Sequence, residues 1–481
     1  MREAGSRERG WLHAGRVLAK TGARREGILP RTGLNFGLVA RKDGSLAGKT
    51  PANGRNRGRT ILPRTVAIET YLKKGSFQLA NSVEKLVKKA AGNMNTKERS
   101  EYYNFGFKYF GPFLLGFTRW LEENIEASGA ENVFFFARDG YTMQKAYALL
   151  HDGDCGKYVY FSRKSLRQAL LWKSNSYAES LTYLTYARYV SVAALLEYYG
   201  FSEEERADVA RACGVELDLD LEYATLADNE VGRALYEANV EVIAEKSREQ
   251  FDLLRDYLEQ IGMEGEVAIV DIGWIGSMQY ALETFIRENN MDITVHGFYV
   301  GINPEHEVEG TVAGYLYNPD DLGLRKSLLC FFGGLEKLFQ SLEGSTEGYR
   351  RSDGTIVPKL GRYEYADDAQ VRGFIREWQQ GALDFVEAAK AASMDGIALQ
   401  DLAMPLVEFG KNPPLWGVKL FKFFYNIDGN KQYFVSRKPL YKYGVRELMH
   451  ALSNSVWKTG FMKSVFKLPL PYYKVYELLR K

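Results

Sequence analysis

Two aspartates stand shortly after apolar runs and shortly before helix-like segments. Asp139 follows the run Asn132–Phe136, and Asp271 follows the run from Val267 to Val270. The order of strand, polar loop and helix places side chains at the carboxyl edge of a parallel sheet, where ligands bind and helix N-termini favour anions. We therefore expect the two carboxylates to converge at one edge of a sheet.

The first loop reads Arg138-Asp139-Gly140. Arg138 can bind a phosphate or a carboxylate through two hydrogen bonds, and Gly140 permits a tight turn or a close backbone approach. Asp139 can serve as a nucleophile, a metal ligand or a general base. The alternative is an internal pair between Arg138 and Asp139 that only holds the loop.

The second loop combines small residues with one large aromatic residue after Asp271. Gly273, Gly276 and Ser277 offer unencumbered amides and a hydroxyl just before a helix, which suits an anion. Trp274 either forms an apolar wall or stacks on a sugar ring, or it packs into the core beneath the loop. Asp271 itself is a second candidate acid and a second candidate metal ligand.

A third strand end adds further polar groups. The run from Lys157 to Phe161 reads as a strand, and Ser162, Arg163 and Lys164 follow it with one hydroxyl and two cations. Three strand ends of this chemistry together predict a site for an anionic, phosphorylated ligand. The expected partner is a phosphorylated sugar or a similar small molecule such as a nucleotide sugar.

These residues need a sheet to position them. Strands are also predicted at 266–270 and at 293–300, and helical patterns alternate with the strands, which favours a parallel sheet with right-handed crossovers. The segment 175–262 reads as a mostly helical insertion, and Gly111-Pro112 should interrupt the apolar helix at 102–125. The predicted fold class is α/β: a Rossmann-like parallel sheet with a helical insertion and a basic, aromatic C-terminal helical region.

The predicted domain boundaries follow from these patterns. The Gly344–Tyr349 stretch, polar and flexible, is expected to be a surface loop or a lid over a ligand. Four regions are expected: a disordered basic leader at 1–66, an N-terminal helical segment at 67–130, the Rossmann-like domain at 131–365 with its insertion at about 175–262, and a helical, basic and aromatic region at 366–481.

Composition restricts the class of protein. With 481 residues, 46% hydrophobic and 26% charged, the chain should form two or three globular domains. Its three scattered cysteines argue against a disulfide framework and favour a reducing cytoplasm, and its five histidines lack zinc-ligand spacing. The sequence has neither an apolar run of about 18 residues nor a signal peptide. The expected location is the cytoplasm, with peripheral attachment at the inner face of the cell membrane as an option.

Both ends of the chain are basic. Residues 1–66 contain 15 Lys and Arg against 4 Asp and Glu, and residues 411–481 contain 14 against 3, interleaved with 15 aromatic residues. The 411–481 region has three interpretations: a helical subdomain with inward-packed aromatics, an anionic membrane surface contact, or nucleic-acid binding. The membrane interpretation uses 457–466 as an interfacial amphipathic helix. Nucleic-acid binding is disfavoured because no RNA-recognition signature is present.

The order of short motifs along residues 100–360 resembles a bacterial family, the predicted hydrolases of the haloacid dehalogenase (HAD) superfamily associated with capsule and O-antigen polysaccharide biosynthesis. The motifs are Tyr109-Phe110-Gly111-Pro112, Phe135-Phe136-Ala137-Arg138-Asp139-Gly140-Tyr141, Ser162-Arg163-Lys164-Ser165-Leu166, Asp271-Ile272-Gly273-Trp274-Ile275-Gly276-Ser277-Met278-Gln279 and Glu336-Lys337-Leu338-Phe339.

The resemblance implies a HAD-like protein of surface polysaccharide biosynthesis that acts on or binds a phosphorylated sugar or polyol, with Mg²⁺ as cofactor. It implies Asp139 as nucleophile or metal ligand, Asp271 as the magnesium-holding acid, and Ser162 with Arg163 as phosphate-binding groups. The chain departs from the family's Asp-x-Asp pattern, because Tyr141 stands where the second acid is expected.

Three functions therefore stay open. The first is a magnesium-dependent hydrolase of phosphate esters. The second is a glycosyl or phosphoribosyl transferase that uses a diphosphate donor. The third is a non-catalytic module that recruits assembly enzymes to the membrane, which the missing second acid favours.

Overall fold

The computed structural model describes residues 76–92, 98–151, 156–184, 189–394, 396–428 and 430–480. The predicted leader at 1–66 lies outside the described residues. The chain forms two compact units. Among the segments they contain, the larger unit has Asn81–Leu322 and Leu335–Leu406, and the smaller has Gly323–Gly334 and Val407–Lys481.

A five-stranded, all-parallel sheet forms the centre of the larger unit, as the sequence predicts for an α/β protein. The strands are β1 Asn132–Phe136, β2 Lys157–Val159, β5 Gly265–Trp274, β6 Ile293–Ile302 and β7 Thr311–Gly314. Their order in the sheet is β2-β1-β5-β6-β7, so β1 has β2 on one side and β5 on the other. The chain moves outward from β1 to β2 and later returns to the opposite side, which makes the space between the ends of β1 and β5 a topological switch point.

The described helices surround this sheet and build the smaller unit. The α-helices are α1 Ser76–Ala91, α2 Glu101–Phe105, α3 Gly111–Ser128, α4 Gly140–Leu150, α5 Arg163–Gln168, α6 Tyr177–Ser180, α7 Val192–Tyr198, α8 Glu203–Cys213, α9 Glu230–Ile261, α10 Ser277–Glu288, α11 Arg325–Leu328, α12 Phe332–Phe339, α13 Ala369–Ala389, α14 Met404–Lys411, α15 Leu415–Leu420, α16 Val445–Asn454, α17 Lys458–Phe466 and α18 Tyr472–Arg480.

Strand β5 is longer than predicted. The sequence prediction ends it at residue 270, but it continues to Trp274 because β6 also continues and pairs with it as far as Trp274 and Ile302. Asp271, Gly273 and Trp274 therefore belong to the end of the strand and not to the following loop. Strand β2, in contrast, ends at Val159, earlier than the predicted Phe161.

The predicted interruption at Gly111-Pro112 coincides with a change of helix type. A π-helical segment, Gly106–Phe110, separates α2 from α3, and Pro112 lies in the first turn of α3. Gly111 is required by packing, since a Cβ atom there would lie 2.5 Å from the Cβ of Phe385 in α13. Helix α13 thus packs on the N-terminal helices of the larger unit.

The predicted insertion has its own apolar core. Leu195, Leu196 and Leu235 are fully buried in it, and Ser and Asn side chains cap the N-termini of α6, α7, α8 and α9. Its only described sheet is the antiparallel pair β3 Tyr189–Ser191 and β4 Asp220–Glu222. The 32-residue helix α9 leaves this core and packs Leu254 and Leu258 beneath the central sheet.

The predicted surface loop or lid around 344–349 is a β-hairpin. Strands β8 Thr346–Ser352 and β9 Thr355–Leu360 are antiparallel, and the turn between them has positive φ at both Asp353 and Gly354. Tyr349 is completely buried and donates its hydroxyl hydrogen to the carbonyl oxygen of Tyr160 at 2.7 Å. The prediction was wrong because buried Thr346 and Tyr349 anchor a stretch that looks polar in sequence.

The smaller unit is helical with one hairpin, β10 Tyr425–Asp428 and β11 Asn430–Tyr433. Its core is aromatic: Phe331, Phe409, Phe421 and Trp457 contact one another, with ring centroids 4.8–6.3 Å apart. The indole N–H of Trp457 donates to the carbonyl oxygen of Gly410 at 2.8 Å. A search of the described residues finds no helix with the length and apolar character needed to span a membrane.

Candidate functional site

Asp139 lies between the end of β1 and the first turn of α4. Gly140 allows this arrangement, because a Cβ atom there would come within 2.8 Å of the backbone of Phe135. The Oδ1 atom of Asp139 is buried and has no hydrogen-bond partner among the described residues. Burial raises the pKa of Asp139 well above its ordinary value, and the negative charges of Asp271 and Glu336 raise it further.

Asp271 is the second carboxylate at this edge of the sheet and is 9% exposed. Burial raises its pKa to about 6, even though the backbone N–H groups of Ile272 and Gly273 donate to it and Arg163 favours its charged form. The negative charge of Glu336 disfavours the charged form of Asp271 and so raises its pKa. The sequence prediction that Asp139 and Asp271 meet at one edge therefore matches the arrangement in the structure, with two buried acids beside the switch point.

Glu336 is a third acid that sequence reasoning did not assign to the site. Its Oε1 atom accepts a hydrogen bond from the indole N–H of Trp274 at 2.8 Å. The ring of Trp274 also stacks on Tyr317, with a centroid distance of 6.3 Å and an interplanar angle of 11°. Trp274 thus positions the carboxylate of Glu336. Its predicted roles, contact with a ligand or packing into the core, did not include this hydrogen bond. The only sequence signal for Glu336 is the motif that begins with it, which contributes to the family resemblance but predicts no role for this acid.

Arg138 pairs with Glu364 and not with its neighbour Asp139. Its Nη1 atom lies 2.8 Å from Glu364 Oε2 and donates to the carbonyl oxygen of Glu343 at 3.2 Å. Lys337, whose side chain is 1% exposed, contacts the other oxygen of Glu364 at 2.6 Å. Although burial alone would raise the pKa of Glu364, the two cations hold it at about 2. Arg138 is therefore part of a structural ion triad.

The segment from Glu336 to Ser341 joins this triad to the Asp139 loop. The hydroxyl of Thr142 in α4 donates to the carbonyl oxygen of Phe339 at 2.7 Å. The backbone N–H of Ser341 donates to the carbonyl oxygen of Arg138 at 3.1 Å. Since Glu336 also accepts from Trp274 at the end of β5, this segment fixes the ends of both strands relative to each other.

The residues that follow β2 divide into two groups. Ser162 caps α5 by accepting from the backbone N–H of Ser165 and donates to the carbonyl oxygen of Thr346, while Lys164 pairs with Glu197 at 3.0 Å. Arg163 is exposed, and its charge acts on Asp271. Of the three predicted phosphate-binding residues, Arg163 is the one whose charge acts on Asp271.

The glycines at the end of β5 also differ from one another. Gly273 has φ of 97°, and a Cβ atom there would lie 2.6 Å from the carbonyl oxygen of Gly301. Its N–H is taken by Asp271, so it serves packing and not an open anion cradle. Gly276 has φ of 68° and precedes Ser277, the first residue of α10. Gly276 and Ser277 thus keep the predicted position at a helix N-terminus.

Two oxygen donors can hold a cation here. No group of three or more Asp, Glu, His and Cys residues with a metal-binding arrangement is found within the described ranges. Mg²⁺ commonly takes one or two carboxylates and completes its shell with waters and substrate phosphates. The unpartnered Oδ1 of Asp139 beside Asp271 fits that requirement, because a cation would relieve the repulsion that raises the pKa of Asp139.

No model of a known protein family matches this chain, and no curated protein matches it significantly.

Proposed function

We propose that this chain is a HAD-like protein that binds a phosphorylated sugar or polyol between the ends of β1 and β5 and acts in the biosynthesis of a surface polysaccharide. The observation that supports this most directly is the buried Oδ1 atom of Asp139, which has no hydrogen-bond partner in the described part of the chain and lies beside Asp271 at the switch point of the sheet. Buried polar atoms are rarely left without partners, and exceptions cluster at functional sites.

In this proposal Asp139 and Asp271 would hold Mg²⁺, which would offset negative charge on a bound phosphate. Arg163, exposed and close enough to act on Asp271, contacts a phosphate oxygen. Arg138 and Lys337 are not assigned to the ligand, because both side chains contact the carboxylate of Glu364. The phosphate is thus held by one cationic side chain and one metal ion.

Hydrolysis would require an acid besides Asp139. If the Asp139 carboxylate attacks phosphorus, the bond to the sugar oxygen breaks and that oxygen needs a proton. Tyr141 occupies the position where the second acid of the Asp-x-Asp pattern is expected. Glu336 supplies a carboxyl group from another element, so we assign proton donation to Glu336 in the hydrolytic form of the proposal. Water would then attack the phosphorus of the aspartyl phosphate, return a proton to Glu336, and release phosphate and the Asp139 carboxylate.

A metal-free binding function is the second candidate, and one observation favours it. The pKa of Asp139 is raised by burial and by neighbouring acids, which favours its neutral form. A neutral carboxyl group donates a hydrogen bond and is a poor nucleophile. In this form the site recognises a sugar phosphate without turnover, as expected of a recruiting module.

Thermal unfolding with and without Mg²⁺ tests both forms. The ligand panel consists of hexose phosphates, nucleotide sugars and phosphoribosyl diphosphate, and a ligand at about 100 times its Kd stabilises by about 2.7 kcal/mol. The hydrolytic form predicts a magnesium-dependent shift that Asp139→Asn removes and that the exposed control Asp208→Asn retains. A shift without Mg²⁺ and without phosphate release supports the binding form. No shift with any ligand contradicts the proposal.

A further inference from the structure

The predicted interfacial helix of the basic region is a core element. Trp457 is fully buried, and Phe461, Met462 and Val465 of α17 are at most 4% exposed. Trp457 belongs to the aromatic core and also donates to Gly410. The 457–466 stretch therefore cannot present its apolar face to a membrane while the smaller unit is folded.

A neighbouring element has the opposite property. Helix α16 contains no buried residue among those described, and its apolar side chains recur at Val445, Leu448, Met449 and Leu452, which places them on one stripe. Val445 is 82% exposed, and Tyr441, just before the helix, is 83% exposed. Large apolar side chains so fully exposed on an ordered element mark a contact surface.

Cations flank this stripe. Lys442 and Arg446 are exposed and have no ion pair among the described residues. The one acid of the helix, Glu447, is paired with Lys438 at 2.6 Å. His450 lies on the same helix beside Asn454. The charge of the segment is therefore positive, in keeping with the 14 basic and 3 acidic residues of 411–481.

We infer that the segment from Leu440 to Asn454, called here the docking segment, binds the surface of an anionic membrane. Tyr441 and Val445 would enter the boundary between headgroups and acyl chains, and Lys442 and Arg446 would contact lipid phosphates. An anionic leaflet matches both the apolar stripe and the excess of positive charge. Nucleic acid matches the charge alone, and a neutral protein partner matches the stripe alone.

Sedimentation with lipid vesicles tests this inference on the full chain. We expect binding to vesicles of phosphatidylcholine with 30% phosphatidylglycerol, at most weak binding to pure phosphatidylcholine, and a loss of binding as salt is raised. Lys442→Glu and Arg446→Glu should each lower the partition coefficient about fivefold or more. Tyr441→Ser and Val445→Ser should each lower it roughly tenfold.

Matched substitutions separate the docking segment from a general effect. Val240→Ser and Val242→Ser change apolar residues of α9 that are 39% and 38% exposed, and Arg211→Glu reverses an exposed cation of α8. These controls should bind as the unchanged chain does. All variants replace exposed side chains, and circular dichroism checks that each is folded.

Three results would overturn the inference. The first is a full chain that does not sediment with anionic vesicles. The second is equal binding by the docking-segment variants and the unchanged chain, which would assign binding to another basic region. The third is a concentration-dependent dimer that Val445→Ser dissociates, without vesicle binding, which would make the surface a contact between copies. The inference does not depend on the phosphate site. Vesicle binding therefore does not decide whether the site binds a ligand, and ligand binding does not decide whether the docking segment binds a membrane.

Discussion

Asp139 keeps a carboxylate oxygen buried next to other acids, and no described residue forms a hydrogen bond with that oxygen. Such a group destabilises the folded state when it is charged, because the charged form loses hydration and gains repulsion. A protein retains such a residue when its function requires it, since stability and activity are often opposed at a functional site. The residue therefore allows a test that needs no knowledge of the ligand.

We predict that Asp139→Asn raises the free energy of unfolding at pH 7.5. The pKa of Asp139 is raised in the folded state, so its carboxylate form weakens folding as pH rises through that folded pKa. Below the ordinary pKa of Asp the carboxyl is protonated in both states, and the gain should vanish. Urea unfolding at several pH values measures this. A variant less stable than the parent at pH 7.5 would show that Asp139 makes a favourable contact in the folded protein.

The ion triad of Arg138, Lys337 and Glu364 should change the pH dependence of stability in the opposite direction. The pKa of Glu364 is lowered to about 2 from 4.5, so its stabilisation is present above about pH 4.5 and is lost as pH falls towards 2. A shift of that size corresponds to about 3 kcal/mol. Glu364→Gln should cost about 3–5 kcal/mol at neutral pH, because it removes the one carboxylate that both largely buried cations contact.

Glu347→Gln is the matched control for this prediction. Glu347 also pairs with a lysine, Lys164, but at 3.6 Å and with a side chain that is 48% exposed. Its loss should change the free energy of unfolding by less than about 1 kcal/mol. Equal effects of the two substitutions in urea unfolding would argue against a buried triad.

At the scale of elements, the end of strand β5 decides where Asp271 lies. Gly273→Ala should destabilise by about 2 kcal/mol or more and weaken ligand binding, because the new Cβ would meet Gly301 and Tyr299 and the strand would have to shift. Gly265→Ala in the same strand also has positive φ but open space around it, so only about 1 kcal/mol of backbone strain is expected. Urea unfolding and ligand titration of both variants measure the difference.

The β8–β9 hairpin shows which elements a sequence reveals and which it conceals. The apolar runs at Phe134 and Val267 indicate buried parallel strands, and the sequence predicts both strands. Thr346 and Tyr349 are two buried residues in a polar stretch, so the periodic signal is weak, although Asp353-Gly354 is a known hairpin turn signal. Strand ends were also missed, because the extension to Trp274 depends on pairing with β6, a long-range contact that no local pattern encodes.

At the scale of the whole molecule, the sequence predicted the parallel sheet, the helical insertion and the meeting of Asp139 with Asp271. It did not predict Glu336, because that acid reaches the site through Trp274, a contact between residues 62 positions apart. It also did not predict that Gly323–Gly334 belongs with Val407–Lys481. Nothing in a local pattern identifies the distant aromatic partners of Phe331.

This discontinuity makes a prediction about truncation. A chain that ends at residue 406 lacks Phe409, Phe421 and Trp457 and leaves Phe331 without the aromatic core that buries it. We expect the truncated chain to aggregate. Adding the substitution Phe331→Ser to the truncated chain should increase its soluble fraction. Light scattering during refolding measures this. A truncated chain that stays monomeric without the substitution would contradict the prediction.

The same discontinuity has a consequence for synthesis on the ribosome. Phe331 leaves the ribosome before its partner Trp457 has been made, and 126 residues separate the two in the chain. At roughly 5–20 residues per second, the nascent chain carries this apolar segment uncovered for about 6–25 s. During that interval the larger unit receives its last segment, Leu335–Leu406, but the smaller unit cannot complete its aromatic core. Chaperones that bind nascent apolar segments should therefore contact this chain at Phe331 and release it only after Trp457 has emerged.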